Sequence, residues 1–141
     1  MAQEIVERKL ESLRRCINRV REKCPPDPET LLRDVDLQDI LVLNLTRAVQ
    51  LCVDIGSHLL ARSELPPPET MGQTFDRLVQ LGVLSRDLAG RLKKAVGFRN
   101  VAVHDYQEID FHIVHAIATE HLNDFAEFAR AVSAYLHLDE T

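Results

Sequence analysis

The chain has 141 residues and a formal net charge of −5, which suits one domain with its own hydrophobic core. We therefore expect residues 1–141 to form a single domain. The negative charge argues against a protein that coats nucleic acid through many phosphate contacts. Three cysteines without a C-x-x-C pair favour a reducing compartment and argue against a metal site.

Few turn signals interrupt the long apolar-periodic segments, which predicts an all-α protein. The chain is charged from Glu4 onward, and nowhere do eighteen apolar residues run together. We therefore expect no signal peptide, no membrane span and a cytoplasmic protein.

The first half of the chain predicts two long helices. Residues 2–24 place apolar side chains at alternating steps of four and three residues, and the proline-rich residues 25–28 end this helix. Asp27 is a typical N-cap for a short helical turn. Residues 34–36 then interrupt the helical pattern again. The second helix, from Leu37 to about Arg62, is apolar on more than one side. It is therefore either central or covered by a second subunit.

This second helix also carries a narrow polar stripe. Asn44, Arg47, Asp54 and His58 lie within about 80° of one another on a helical wheel. Asp54 and His58 are an i, i+4 pair that can touch. The stripe is as consistent with an ordinary surface ion pair as with part of a functional site.

The second half of the chain predicts one shorter helix and two long ones. The shorter helix begins at Thr70, after a stiff proline connection, and is closed by Gly82. Ser85 and Asp110 are the candidate N-caps of the last two helices. The elements together predict an up-and-down bundle of four long helices and one shorter helix.

The helix that follows Ser85 carries an arginine on its apolar stripe, because Arg99 projects about 20° from Leu88. A guanidinium keeps its charge, so it needs a partner group or an anionic ligand. Arg99 and His104 would project about 140° apart on one continuous helix. Their convergence requires either that the helix ends near Val103 or that two subunits contribute.

An ordinary interpretation is also open at this point. Arg99 then pairs with a carboxylate such as Asp54, His104 merely occupies a loop, and Tyr106 packs with its hydroxyl in water. Elsewhere, His112 and His115 form only an i, i+3 pair without a nearby cysteine, which is not a zinc-binding pattern.

The segment from Arg99 to Tyr106 resembles the R-x4-H-x-Y signature of HepT-like toxins, members of the HEPN (higher eukaryotes and prokaryotes nucleotide-binding) superfamily. Residues 45–58, 68–71 and 92–100 are similar to that family in order and spacing. The resemblance covers about residues 35 to 135, and the first helix matches in type only.

The resemblance implies an all-helical, HEPN-like homodimer in which the motifs of both subunits line one cleft. It implies a ribonuclease that needs no metal or other cofactor and cuts RNA. It also implies a toxin–antitoxin pair, whose antitoxin is a minimal nucleotidyltransferase that transfers AMP to the motif tyrosine, here Tyr106.

The chemistry of the motif residues agrees with those roles. His104 can act as general acid or base on a ribose hydroxyl or leaving oxygen, and Arg99 can hold the phosphate. Asn100 can orient either group, and Asp54 is an auxiliary candidate that can pair with Arg99 or polarise an imidazole.

Two other functions remain open. One is a non-catalytic, nucleotide-binding helical subunit of a nucleotidyltransferase, in which Arg99 holds a nucleotide. The other is a purely structural helical dimer, which predicts tolerance of Arg99→Ala.

Overall fold

A computed structural model describes the backbone of residues 2–140 and the side chains of residues 3–137. Within that range every regular element is helical, so the predicted all-α class is confirmed. The helices are α1 (Ala2–Lys23), α2 (Pro28–Arg33), α3 (Val35–Leu60), α4 (Met71–Gln80), α5 (Arg86–His104), α6 (Phe111–Ala116) and α7 (Leu122–Glu140). A 3₁₀ turn, Tyr106–Glu108, follows α5, and a π-helical turn, Ile117–His121, joins α6 to α7.

The predicted bundle is confirmed. Helices α1, α3 and α5 and the run from α6 to α7 are the four long elements, and α4 is the shorter one. Helix α3 is central, because it contacts α1, α4, α5 and α7. By length and composition α3 could cross a membrane, but over half of its most apolar window, 56%, is buried within the bundle. A core helix shows this combination.

Side-chain caps set the helix starts at the predicted positions. Asp27, Thr70, Ser85 and Asp110 each accept a hydrogen bond from a backbone N–H in the first turn of the following helix. Gly82 adopts φ 87° just after α4, as expected of a residue that closes a helix.

The predicted start of the second long helix is wrong by two residues. Helix α3 begins at Val35, because the Asp34 side chain accepts a hydrogen bond from the Leu37 N–H over 3.1 Å. Asp34 therefore caps α3, in addition to separating it from the preceding short helix. The π-helical turn was not predicted, and in it the Thr119 hydroxyl donates to the His115 carbonyl over 2.8 Å.

His115 ties the last helical run to the loop after α1. It is only 9% exposed, and its Nε2 lies 2.8 Å from the Pro25 carbonyl oxygen, to which it donates. A buried ring whose N–H is satisfied by a backbone carbonyl is a structural feature of the fold.

Candidate active site

Helix α5 carries the motif as far as His104, and Tyr106 lies on the 3₁₀ turn beyond it. The Asp105 N–H donates to the Val101 carbonyl over 2.8 Å and closes the last turn. The helix thus continues through His104, which still projects with helical geometry, so a helix end near Val103 does not bring the two side chains together. On this continuous helix, Arg99 and His104 therefore project about 140° apart.

Arg99 continues the buried stripe of α5, as predicted. Leu88, Leu92 and Val96 are buried, and Arg99 is half-buried. Its Nη1 donates to Oδ1 of Asn100 over 3.3 Å, but its Nε is buried without a hydrogen-bond partner. Among the described side chains no carboxylate pairs with Arg99. The guanidinium is therefore only partly satisfied by the described protein groups, as expected of a cation that takes an anionic ligand.

Asp54 lies on the side of α3 that faces α1. It accepts a hydrogen bond from Gln50 over 2.9 Å and forms an ion pair with Lys9 at 3.8 Å. Within this chain the structure does not pair Asp54 with Arg99, and among the described residues Asp54 forms no hydrogen bond or ion pair with His58. An auxiliary role for Asp54 at the motif stays a prediction.

His104 is exposed at the end of α5, and within residues 3–137 its ring makes no hydrogen bond or ion pair. The imidazole is therefore exposed and without a protein partner in this range, as a general acid or base requires. Asn100 is also exposed, one residue along from Arg99.

Tyr106 is 47% exposed, and its hydroxyl donates to Oδ1 of Asp39 on α3 over 3.0 Å. The hydroxyl is thus not simply in water, as the ordinary interpretation expected. Burial, together with the hydrogen bond to Asp39 and the negative charge of Asp39, raises the pKa of the phenol. Sequence reasoning missed Asp39, because a contact between residues 67 positions apart has no local signal.

Two grooves are formed without the side chains of the three motif residues, although Val101 of the motif segment lines the first. One, of about 450 Å³ between α5 and the last helical run, has an apolar floor that includes Phe98, Ile113 and Phe125. The other lies between α1 and α3 and includes Asn44, Arg47 and Asp54 of the polar stripe. Neither is lined by Arg99, His104 or Tyr106. Within the described residues no group of three or more potential metal ligands is assembled.

The helical bundle, with an arginine and a histidine in the last turns of α5 and a tyrosine on the 3₁₀ turn beyond it, defines a HEPN-type protein. A family model described as Ribonuclease HepT-like matches residues 13–132. The chain therefore belongs to the HepT-like ribonuclease family, and the resemblance found in the sequence is confirmed.

Named relatives agree with this assignment. The chain is 36% identical over 131 residues to the mRNA nuclease HepT of Shewanella oneidensis, covering 93% of this chain and 98% of that protein. It is 25% identical over 132 residues to the tRNA nuclease HepT of Aphanizomenon flos-aquae, covering 94% of this chain and 90% of that protein.

A solved structure is similar over nearly the whole fold. The tri-AMPylated Shewanella oneidensis HEPN toxin in complex with MNT antitoxin superposes with a TM-score of 0.85 at 36% identity. The match covers 92% of this chain and 97% of that toxin chain.

Proposed function

We propose that this chain is the ribonuclease toxin of a toxin–antitoxin pair and that Arg99, Asn100 and His104 cleave RNA without a metal ion. The observation that carries the proposal is the buried Nε of Arg99, which has no partner in the described residues. It lies five residues before an exposed histidine, within the family motif. The relatives named mRNA and tRNA nucleases support RNA as the substrate.

Each motif residue has a chemical task in this proposal. Arg99 binds the scissile phosphate and stabilises the charge that develops on it, which a planar guanidinium does better than an ammonium group. His104 takes the proton from the attacking ribose hydroxyl or gives one to the leaving oxygen. Asn100 accepts from the guanidinium and restrains its orientation.

We further propose that the active form is a homodimer in the cytoplasm, with residues 1–141 of each subunit as one domain. Because Arg99 and His104 of one subunit diverge by about 140°, one subunit does not bring both to a single phosphate. The outer face of α5 supports close approach of a second copy. Gly90, Gly97 and His104 follow one another at seven-residue steps, and nothing lies within 4 Å of a Cβ placed on either glycine.

We propose that a cognate minimal nucleotidyltransferase silences the toxin by transferring AMP to Tyr106. The AMPylated and antitoxin-bound state of the Shewanella toxin supports this proposal, as does the exposure of Tyr106 two residues beyond His104. A phosphodiester anion at this position would repel and occlude the RNA phosphate.

RNA cleavage by purified wild-type and His104→Ala protein tests the catalytic proposal. Loss of a general acid or base should reduce the cleavage rate by roughly 100-fold or more. His112→Ala, at an exposed histidine on α6, is the matched control and should cleave like wild type. Equal cleavage by wild type and His104→Ala would overturn the proposal. Nucleotide binding without any RNA turnover by the wild type would favour the non-catalytic subunit instead.

A further inference from the structure

We propose that Asp39 holds the Tyr106 hydroxyl for modification and accepts its proton while AMP is transferred to it. The inference rests on the proposed AMPylation of Tyr106 and assigns a residue of the toxin itself to that reaction.

The first support is the hydrogen bond between Tyr106 and Asp39. The Tyr106 hydroxyl donates to Oδ1 of Asp39 at 3.0 Å, which is within the reach of a general base. Asp39 is the charged group that acts on this hydroxyl among the described residues. Both side chains are exposed, so a large nucleotidyl donor held by a partner enzyme can approach them.

The second support is that both backbones are anchored. Near Asp39, the Asp34 cap holds the start of α3, and the Gln38 side chain donates to the Leu31 carbonyl over 3.0 Å. On the other side, the Tyr106 carbonyl accepts a hydrogen bond from the Ile109 N–H over 3.2 Å. The pair is therefore preorganised and does not depend on the chance meeting of two mobile loops.

The chemistry of transfer requires a proton acceptor at this oxygen. The phenolic oxygen forms a bond to the α-phosphorus of ATP, the bond from that phosphorus to the pyrophosphate oxygen breaks, and pyrophosphate leaves with the electron pair. The phenolic proton must leave as well. Because burial and Asp39 raise the pKa of Tyr106, very little phenolate exists at neutral pH. The adjacent carboxylate can take the proton as the new bond forms and then release it to solvent.

The only other tyrosine in the sequence lacks this arrangement. Tyr135 is partly buried against the hydrophobic core, and in the described residues its hydroxyl has no carboxylate partner. The proposal therefore also explains why Tyr106 is the acceptor. After transfer, the Asp39 carboxylate faces a phosphodiester anion, so like-charge repulsion drives the modified side chain away from α3.

The test measures the initial rate of AMP incorporation into Tyr106 by the cognate nucleotidyltransferase and ATP, using peptide mass spectrometry from pH 6 to pH 9.5. The variants are Asp39→Asn, Asp39→Glu and the matched control Asp36→Asn, which removes an exposed carboxylate near the same end of α3. At pH 7, Asp39→Asn should slow incorporation by roughly 100-fold. Asp39→Glu should recover part of the rate, and Asp36→Asn should react like wild type.

The pH profile separates proton transfer from antitoxin docking. Loss of a proton acceptor is compensated as phenolate becomes available, so the deficit of Asp39→Asn should shrink as the pH rises. A deficit of the same size at every pH, or an equal deficit in Asp36→Asn, would overturn the proposal, as would a wild-type rate in Asp39→Asn. Absence of AMP on Tyr106 in the wild-type reaction would instead contradict the proposed function, so the two failures are distinguishable.

Discussion

The Arg99 guanidinium donates to Oδ1 of Asn100 over 3.3 Å, yet its buried Nε has no partner in the described residues. The guanidinium on the apolar stripe of α5 is therefore only partly hydrogen-bonded by the protein. An RNA phosphate can accept from the free donors of the planar guanidinium, and a lysine cannot reproduce that geometry.

We predict that Arg99→Lys lowers the RNA cleavage rate by about 100-fold, because one fixed donor to the charged transition state is worth about that much. Steady-state cleavage of a labelled RNA checks this prediction. Arg130→Lys, at an exposed arginine on α7, provides the control for loss of a surface guanidinium. Wild-type cleavage by Arg99→Lys would show that only the charge at this position matters.

The divergence of Arg99 and His104 along α5 leads to a prediction about mixed dimers. Arg99→Ala and His104→Ala proteins should each be inactive alone, because each lacks one group at every site. If each site takes its arginine from one subunit and its histidine from the other, mixing and exchange regenerates one intact site per heterodimer. Activity should then return to about a quarter of the wild-type value, since about half of the dimers are mixed.

No recovery after verified subunit exchange would contradict a shared cleft. Native mass spectrometry of differently tagged subunits confirms that exchange has occurred. This experiment tests the dimer and the composition of the site together, whereas a size measurement tests only the dimer.

Local signals were sufficient to predict most of the fold. The caps at Asp27, Thr70, Ser85 and Asp110 act on backbone groups two or three residues away, so their effect is contained in a short stretch of sequence. The motif helix and its half-buried arginine likewise followed from helical periodicity.

Long-range contacts could not be predicted in the same way. The bond between Tyr106 and Asp39 depends on how the turn after α5 packs against the start of α3. The pairing of Asp54 with Lys9 depends on how α1 packs along α3. Periodicity places each residue on a face of its own helix but does not say which residue of another helix lies opposite.

The raised pKa of Tyr106 gives a spectroscopic prediction. In a Tyr135→Phe background, Tyr106 is the only remaining tyrosine, and its ionisation can be followed by ultraviolet absorbance. The wild-type Tyr106 should titrate above the ordinary value of 10.0. Asp39→Ala should lower the pKa, because it removes a hydrogen bond and a negative charge that both favour the neutral phenol.

The raised pKa of Tyr106 also predicts how the stability of the folded protein depends on pH. Since the folded-state pKa is raised, the contribution of the Tyr106–Asp39 contact is complete below about pH 10 and is lost as the pH rises through the folded-state value. The melting temperatures of wild type and Asp39→Ala should therefore differ at pH 8. This difference should become smaller at higher pH. A difference that grows above pH 10 would contradict this assignment.

The tight packing of α4 against Gly56 of α3 gives a final prediction. A Cβ at this position would lie 2.6 Å from Thr74 Cγ2 and 3.0 Å from Leu78 Cδ1. Thr74 and Leu78 are both buried, so they have little room to move. Gly56→Ala should lower the free energy of unfolding by about 1–3 kcal/mol, although alanine favours a helix more than glycine does. Ser57→Ala, at the next and exposed position, should change it by less than about 0.5 kcal/mol. Urea denaturation of the two variants at one protein concentration measures the difference. A stabilised Gly56→Ala protein would show that the contact between α3 and α4 accommodates a methyl group.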